Sequence, residues 1–322
     1  DVDRNRKPGR FLLTGSANVF MLPKLSESLA GRMEIVTLWP FSQGELHRGR
    51  DRFIDCIFSS QLPDLSREKP ADRDYDKILV RGGFPETLQR TSASRLDVWF
   101  RSYVTAIVQK DIRDLASIAA LTEMPKLLSL LASRTGELMN VSELSRGVKI
   151  PHTTLKRYLS LLEMTFLLVP LLPWSANIGK RLTKSPKIHL VDSGLTSHLI
   201  GITENRLLRD TVTKGHLLES FVVTELRKQI SWSESRIEIY HFRTVAGWEV
   251  DVVLEDNQGR VVGVEIKSSA TVVKRDFAGL DALSEVVGNK FVRGIVLYNG
   301  NSIVPFGERM TAMPINSMWR MK

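Results

Sequence analysis

Asp251, Glu265 and Lys267 are the residues of this chain whose types and spacing most directly admit chemistry. Side chains alternate along a strand, so in Val264-Glu265-Ile266-Lys267 the acid and the lysine share one face while Val264 and Ile266 point into apolar surroundings. Asp256-Asn257-Gln258-Gly259 is a turn sequence, and folding the two flanking apolar runs back on it brings Asp251 close to Glu265. Paired carboxylates suit Mg²⁺, which takes oxygen ligands and retains waters, one of which can become a nucleophile. Lys267 would orient that water or stabilise phosphate charge. Glu219, in the preceding helix, is the candidate third carboxylate. The plainer alternative is that all are outward charges on half-exposed strands. Against it, Val250, Val252, Val253, Val262, Val264 and Ile266 make both strands apolar enough to be buried, so charges there need a reason.

The elements that must hold these residues form the last third of the chain. A helix is expected from about Gly215 to Ile230, then strands at Ile237 to Phe242, Glu249 to Leu254 and Val261 to Lys267. A helix around Phe277 to Val287 and strands near Phe291 to Tyr298 and Ser302 to Pro305 complete an α/β sandwich with a mixed sheet. His189, His198, His216 and His241 lack metal-ligand spacing and are expected to be structural. Trp248, beside the acidic strand, reads as a packing residue that has the chemistry to stack on a base.

A second set of residues has the chemistry of nucleic-acid contact. From Leu144 to Leu162 there is no acidic residue, while Arg146, Lys149, Lys156 and Arg157 surround His152, Thr153 and Thr154. The block from Met124 to Asp192 has the order helix, short helix, turn, longer helix, basic extended segment. Ser142 is placed as the N-cap of the short helix and Pro151 at the first turn of the next. Leu155, Tyr158, Leu159 and Leu162 fall on one face of that longer helix. Leu167 to Leu172 and Ile188 to Val191 would pair around a loop carrying Lys180, Arg181, Lys184 and Lys187. This is the pattern of a winged helix-turn-helix, with base-reading residues at the start of the recognition helix and phosphate contacts on the wing. The same fold also serves as a protein-docking module.

Upstream, Phe11 to Thr14 meeting Gly15-Ser16 reads as a buried parallel-type strand ending at a loop, Leu22 to Leu29 as a helix, and Met33 to Trp39 as a second strand. From Phe41 to about Leu115 the pattern is mostly helical, with a turn at Gly82-Gly83-Phe84-Pro85.

Together these stretches resemble known families. Gly247-Trp248-Glu249-Val250-Asp251 followed by Val264-Glu265-Ile266-Lys267-Ser268 resembles the PD-(D/E)XK nucleases, which implies metal-binding acids and an assisting lysine. The whole chain is similar to prokaryotic AAA-type ATP-binding proteins with a C-terminal domain of unknown function. The resemblance is carried by Phe11 to Ala17, Ser28 to Arg32, Gly82 to Glu86 and Lys187 to Leu195. It implies a sensor strand ending at Ser16, beside the nucleotide, and Arg32 as an arginine acting on phosphate in a neighbouring subunit, hence a homo-oligomer. The sequence contains no Gly-x-x-x-x-Gly-Lys-Ser/Thr loop and no apolar strand ending in Asp-Glu, so the phosphate cradle and Mg²⁺ carboxylate are expected before Asp1. On that reading ATP is bound only by the longer protein.

The implied fold class is α/β and multi-domain. Residues 1–120 would be the C-terminal part of a truncated P-loop ATPase with a helical lid, 121–192 a winged helix-turn-helix, and 193–322 a restriction-endonuclease-like α/β sandwich. A chain of 322 residues exceeds what one core usually serves. A net charge of +9 favours acidic partners such as DNA. The single cysteine, Cys56, excludes an internal disulfide and a Cys-based zinc site and suits a reducing cytosol, so a cytoplasmic protein is expected. No run of about eighteen uncharged apolar residues marks a membrane span. Function stands between a DNA-associated AAA-family protein whose terminal domain hydrolyses phosphodiesters with Mg²⁺, a non-catalytic protein-interaction or regulatory scaffold built on the same fold, and an ATPase that works only when the missing N-terminal part is present.

Overall fold

The structure, a computed structural model, describes residues 9–17, 33–49, 51–63, 74–112 and 122–321. Helices α1 (Gln43–Leu46), α2 (Phe53–Phe58), α3 (Tyr75–Arg81), α4 (Pro85–Leu88) and α5 (Ala93–Ala106) come first, α5 running on as a π-helical turn over Ile107–Ile112. They are followed by α6 (Met124–Ser133), α7 (Val141–Val148), α8 (His152–Met164), α9 (Ile178–Thr183), α10 (Ser193–Leu199), α11 (Glu204–Leu207) and α12 (Thr211–Ile230). The C-terminal part contains β1 (Ile237–Arg243), β2 (Glu249–Asp256), β3 (Val261–Lys267), α13 (Ala278–Val287), β4 (Phe291–Tyr298), β5 (Val304–Pro305) and β6 (Met310–Pro314).

The six strands form one mixed sheet in the order β1-β2-β3-β4-β6-β5. β3 runs parallel to β4 and β4 to β6, and the remaining pairs are antiparallel. Val252, Leu254, Val262, Val264 and Ile266 pack towards α12, whereas Val253, Val261 and Val296 join Leu280 and Leu283 of α13 on the other face. Each face thus buries its own row of β-branched residues, at about 1.5 to 3 kcal/mol per large side chain. The Asp256 to Gly259 turn forms as its residues dictate. Asp256 accepts hydrogen bonds from the amides of Gln258 and Arg260, and Gly259 takes φ +73°. Strand β6 went unread in the sequence because its five residues, Met-Thr-Ala-Met-Pro, show no clean alternation and end at proline.

A separate core gathers Phe100 and Val104 of α5, Leu127, Leu128 and Leu131 of α6, Leu144 of α7, and Leu155, Leu159 and Leu162 of α8. Helix α7 starts two residues earlier than Ser142 would place it. The Asn140 side chain accepts from the Glu143 amide and is the cap, leaving Ser142 within the helix. Pro151 is the N-cap of α8 rather than a residue of its first turn. The turn between α7 and α8 is Lys149-Ile150-Pro151, with Lys149 in the left-handed region at φ 58°. Leu167 to Val191 folds back antiparallel through Leu168 opposite Leu190 and Leu171 opposite Lys187, with Leu138 on the far side of Lys187.

The cores cross the domain limits expected from sequence. Phe53, Ile54, Ile57 and Leu79, expected in a lid, are buried with α12 and the sheet, while α5 packs with the three-helix unit. A Gly82-Gly83 contact with Asp192 ties the two together. Asp192 caps α10 through the Leu195 amide and accepts the Gly83 amide at 2.7 Å. Gly82 sits at φ +71°, and a Cβ there would stand 2.1 Å from Asp192 Oδ1, so both its freedom and its small size are required.

Two expected strands are absent. Among the described residues Phe11 to Thr14 forms no strand, with Leu12 91% exposed, and Met33 to Trp39 likewise forms none, with Leu38 91% exposed. A parallel-type strand is stable only with neighbours on its edges and layers on both faces, and among the described residues neither segment has them. Leu22 to Leu29 and Arg32 lie outside the described residues.

Candidate functional site

Asp251 owes its position to a β-bulge. Phe242 pairs with Val250 and Tyr240 with Val253, so two residues of β2, Asp251 and Val252, oppose His241 of β1. Val250 and Val253 consequently face the same α13 core, and the regular β2–β3 ladder begins only at Val252 opposite Val264. Beyond it the Asp251 carboxylate takes over, with Oδ2 accepting from the Ile266 amide at 2.9 Å. Asp251 therefore stands in the fork between the strands.

Carboxylates gather around that fork from several elements. Glu219 comes from α12, Glu249 from the start of β2, and Glu265 from β3, on the Gly263 side that meets Leu280 and Leu283 of α13. Glu219 and Glu265 thus reach Asp251 from different sides of β3, not along one shared sheet face. Lys267 pairs with Glu265 at 2.8 Å, and the second oxygen of Glu265 is buried without a hydrogen-bond partner.

At the centre is a lysine that sequence reasoning placed on the wing. The Lys187 ammonium lies 2.8 Å from Glu219 Oε1, 2.6 Å from Glu249 Oε1 and 3.4 Å from Asp251 Oδ1, with its side chain 3% exposed. Its backbone is fixed on both sides. Lys187 exchanges two hydrogen bonds with Leu171, Ile188 donates to Glu137, and Gly136 donates to Ile188. Gly136, at φ +80°, allows the close approach, since a Cβ would come within 3.3 Å of Glu219 Oε2. The available signal was the alternation in Lys187-Ile188-His189-Leu190. Ile188 and Leu190 belong to the three-helix core, which turns Lys187 and His189 the other way. The sequence marks Glu249 only as the start of a strand and as a member of the Gly247 to Asp251 stretch, not as a site acid.

The electrostatics follow. Burial pushes the carboxyls of Glu219 and Glu265 up, and the neighbouring Asp251 charge pushes them further, to about 8 in each case. Burial works against the Lys187 ammonium, but Asp251, Glu219 and Glu249 together hold its proton far more firmly than usual. The same lysine and, above all, burial keep His241 neutral, its pKa lowered to about 4. His189 lies well below its usual value for the same reasons. Four carboxylates thus face Lys187, Lys267 and, at the rim, Arg243, whose Nη1 is 3.7 Å from Glu249.

This set does not fit a divalent ion as it stands. The oxygens of Glu219, Glu249 and Asp251 that would share an ion already share an ammonium. Among the described residues, no group of three or more His, Cys, Asp or Glu side chains is arranged to hold a metal.

The residues expected to meet DNA divide in two. Lys149, His152, Thr153, Lys156 and Arg157 are exposed around the turn and the start of α8, as are Lys180 and Lys184. Arg181 is not available. Its guanidinium makes a two-pronged pair with Glu255, lies over the Tyr240 and Trp174 rings, and donates to the Ser175 carbonyl. It fastens the α9 segment to β1 and β2. Trp248, expected to pack, is instead 50% exposed at the β1–β2 hairpin. Ser16 is an exposed loop residue.

Residues 2–47 match the family model of an AAA domain. Residues 72–206 and 214–318 match two domains of unknown function, DUF8612 and DUF4143. The matches point to an AAA-related family. Uncharacterised proteins of Mycobacterium bovis and Mycobacterium tuberculosis are each 29% identical over 318 residues, 98% of this chain and 64% of theirs. An uncharacterised protein of Haemophilus influenzae is 25% identical over 223 residues, 68% of this chain and 51% of its own. The chain therefore spans less than two thirds of the length of these relatives. No solved structure matches it. No described helix is long and apolar enough to cross a membrane.

Proposed function

We propose that this chain is the DNA-associated part of an AAA-related ATP-binding protein, in which the α6–α8 unit docks on DNA as a winged helix and the C-terminal nuclease-like sandwich acts as a scaffold. The observation that carries the reading is the exposed basic and polar set at the start of α8, with Lys149, His152, Thr153 and Lys156 on an acid-free stretch. A recognition helix contacts base edges with its N-terminal residues, and phosphates are met by the flanking lysines. The scaffold role is supported by the Lys187 ammonium among the acids. ATP binding, and a homo-oligomer that completes the nucleotide site, belong to the longer protein on this reading.

A second reading, Mg²⁺-dependent hydrolysis, is favoured by one observation, the buried and unpartnered Glu265 Oε2 beside Lys267. Both are tested by incubating the chain with duplex DNA in Mg²⁺ and analysing the sample on native and denaturing gels. The scaffold reading predicts retarded DNA with intact strands. Strand scission that disappears in Asp251→Asn would establish the second reading instead.

A further inference from the structure

We propose that Lys187 is the resident cation of the C-terminal carboxylate site, a side chain of the three-helix unit standing where a divalent ion would otherwise bind. The inference deepens the nuclease-like reading of that site and rests on it. Three carboxylates from two elements of the sandwich, Glu219 on α12 with Glu249 and Asp251 on β2, converge on one ammonium. Buried carboxyls this close together either keep a proton or need a compensating positive charge, and Lys187 supplies such a charge from outside the sandwich. The lysine is pre-positioned, because the residues on either side of it are held through Leu171, Glu137, Gly136 and Met139. It is almost fully enclosed, so leaving the site would require the 186–191 segment to move with it. The acids and the three-helix unit are in this way closed on each other, and a metal can enter only when they separate.

The competition between ammonium and metal is read directly by titrating the full chain with Mn²⁺ and following free ion by electron paramagnetic resonance. Wild type is expected to take up no Mn²⁺ at the carboxylates. Lys187→Met, which keeps the length of the side chain and removes its charge, should gain one Mn²⁺ site at least roughly ten-fold tighter than any residual uptake by wild type, and the double variant with Asp251→Asn should lose it. Lys187→Arg keeps the charge and should resemble wild type, which covers the case in which Lys187→Met does not fold. Reductive methylation of wild type supplies a measurement without any variant. Lys187 should stay unmodified in the native chain, whether or not Mn²⁺ is present. A wild-type chain that binds Mn²⁺ in a manner sensitive to Asp251→Asn, or whose Lys187 is readily methylated, would overturn the inference. DNA cleavage by such a chain would do so while upholding the hydrolytic reading. Mn²⁺ binding by Lys187→Met without cleavage would uphold the inference and remove hydrolysis.

Discussion

Asp251 and Ile266 are joined by a hydrogen bond from backbone to carboxylate, 2.9 Å long, at the point where β2 and β3 part. The aspartate thereby replaces a rung of the ladder and also faces Lys187. Its loss should accordingly cost stability, beyond any loss of ligand binding expected for an acid that serves metal alone. Asp251→Ala should destabilise the chain by about 1 to 3 kcal/mol, the usual cost of leaving buried partners unpaired. Asp251→Asn, whose side-chain carbonyl can still accept the amide, should cost less. Denaturant midpoints of the two variants check the order, and equal midpoints would detach Asp251 from the fork.

The same cluster sets a pH dependence. Glu219 and Glu265 have native pKa values raised to about 8, so the folded state binds more protons than the unfolded one between the ordinary glutamate range and that value. Their contribution is complete below the unfolded pKa and is lost as pH rises through about 8. His241, lowered to about 4, acts in the opposite direction, gaining stability from about 4 up to the ordinary histidine range, and offsets the glutamates there. Above that range only the glutamates remain in play. Stability should therefore fall between roughly pH 6.5 and 8, and Glu265→Gln should flatten the fall. Melting temperatures across this interval that are level in wild type, or equally steep in the variant, would contradict the assignment.

Lys149 closes α7 in a left-handed conformation that glycine adopts without strain. Lys149→Gly should leave stability unchanged or raise it by up to about 1 kcal/mol, while weakening the proposed DNA binding through loss of a positive charge. Reduced affinity in a chain whose melting temperature is undiminished would separate the residue's recognition role from its structural one. A drop in both would show that Lys149 is held there by contacts beyond the turn.

Much of the sandwich was legible because its signals are local. The alternation in Val261 to Lys267 and the Asp256 to Gly259 turn require no distant partner to be interpreted, and both form as written. Asp251, Glu265, Glu219 and Lys267 could be picked out from the sequence as candidates, whereas Glu249, which also reaches Lys187, could not. For Lys187 the alternation from Lys187 to Leu190 is the only signal, and it is outweighed because a basic residue in a basic segment reads as solvated until the chain folds it against α12. Nor could the bulge at Asp251 be read, because it is defined by the pairing of β1 with β2 and leaves no mark on either strand alone. Arg181 was misplaced for a related reason: Glu255, its partner, lies far away in sequence. The N-terminal runs differ in the opposite sense, their apolar pattern being present without, among the described residues, the neighbours that would make them strands.

Docking through the α7–α8 face is tested most directly by the salt dependence of duplex DNA binding. Fluorescence anisotropy should be compared for wild type and for a chain carrying Lys149→Glu, Lys156→Glu and Lys184→Glu, which spares the Arg181–Glu255 pair that fastens the α9 segment to the sheet. Wild-type affinity should fall linearly on a logarithmic scale with salt, by about 0.9 in slope for each phosphate contacted. The triple variant should bind at least about ten-fold more weakly with a correspondingly shallower slope. Equal affinities and slopes in the two proteins would contradict the account.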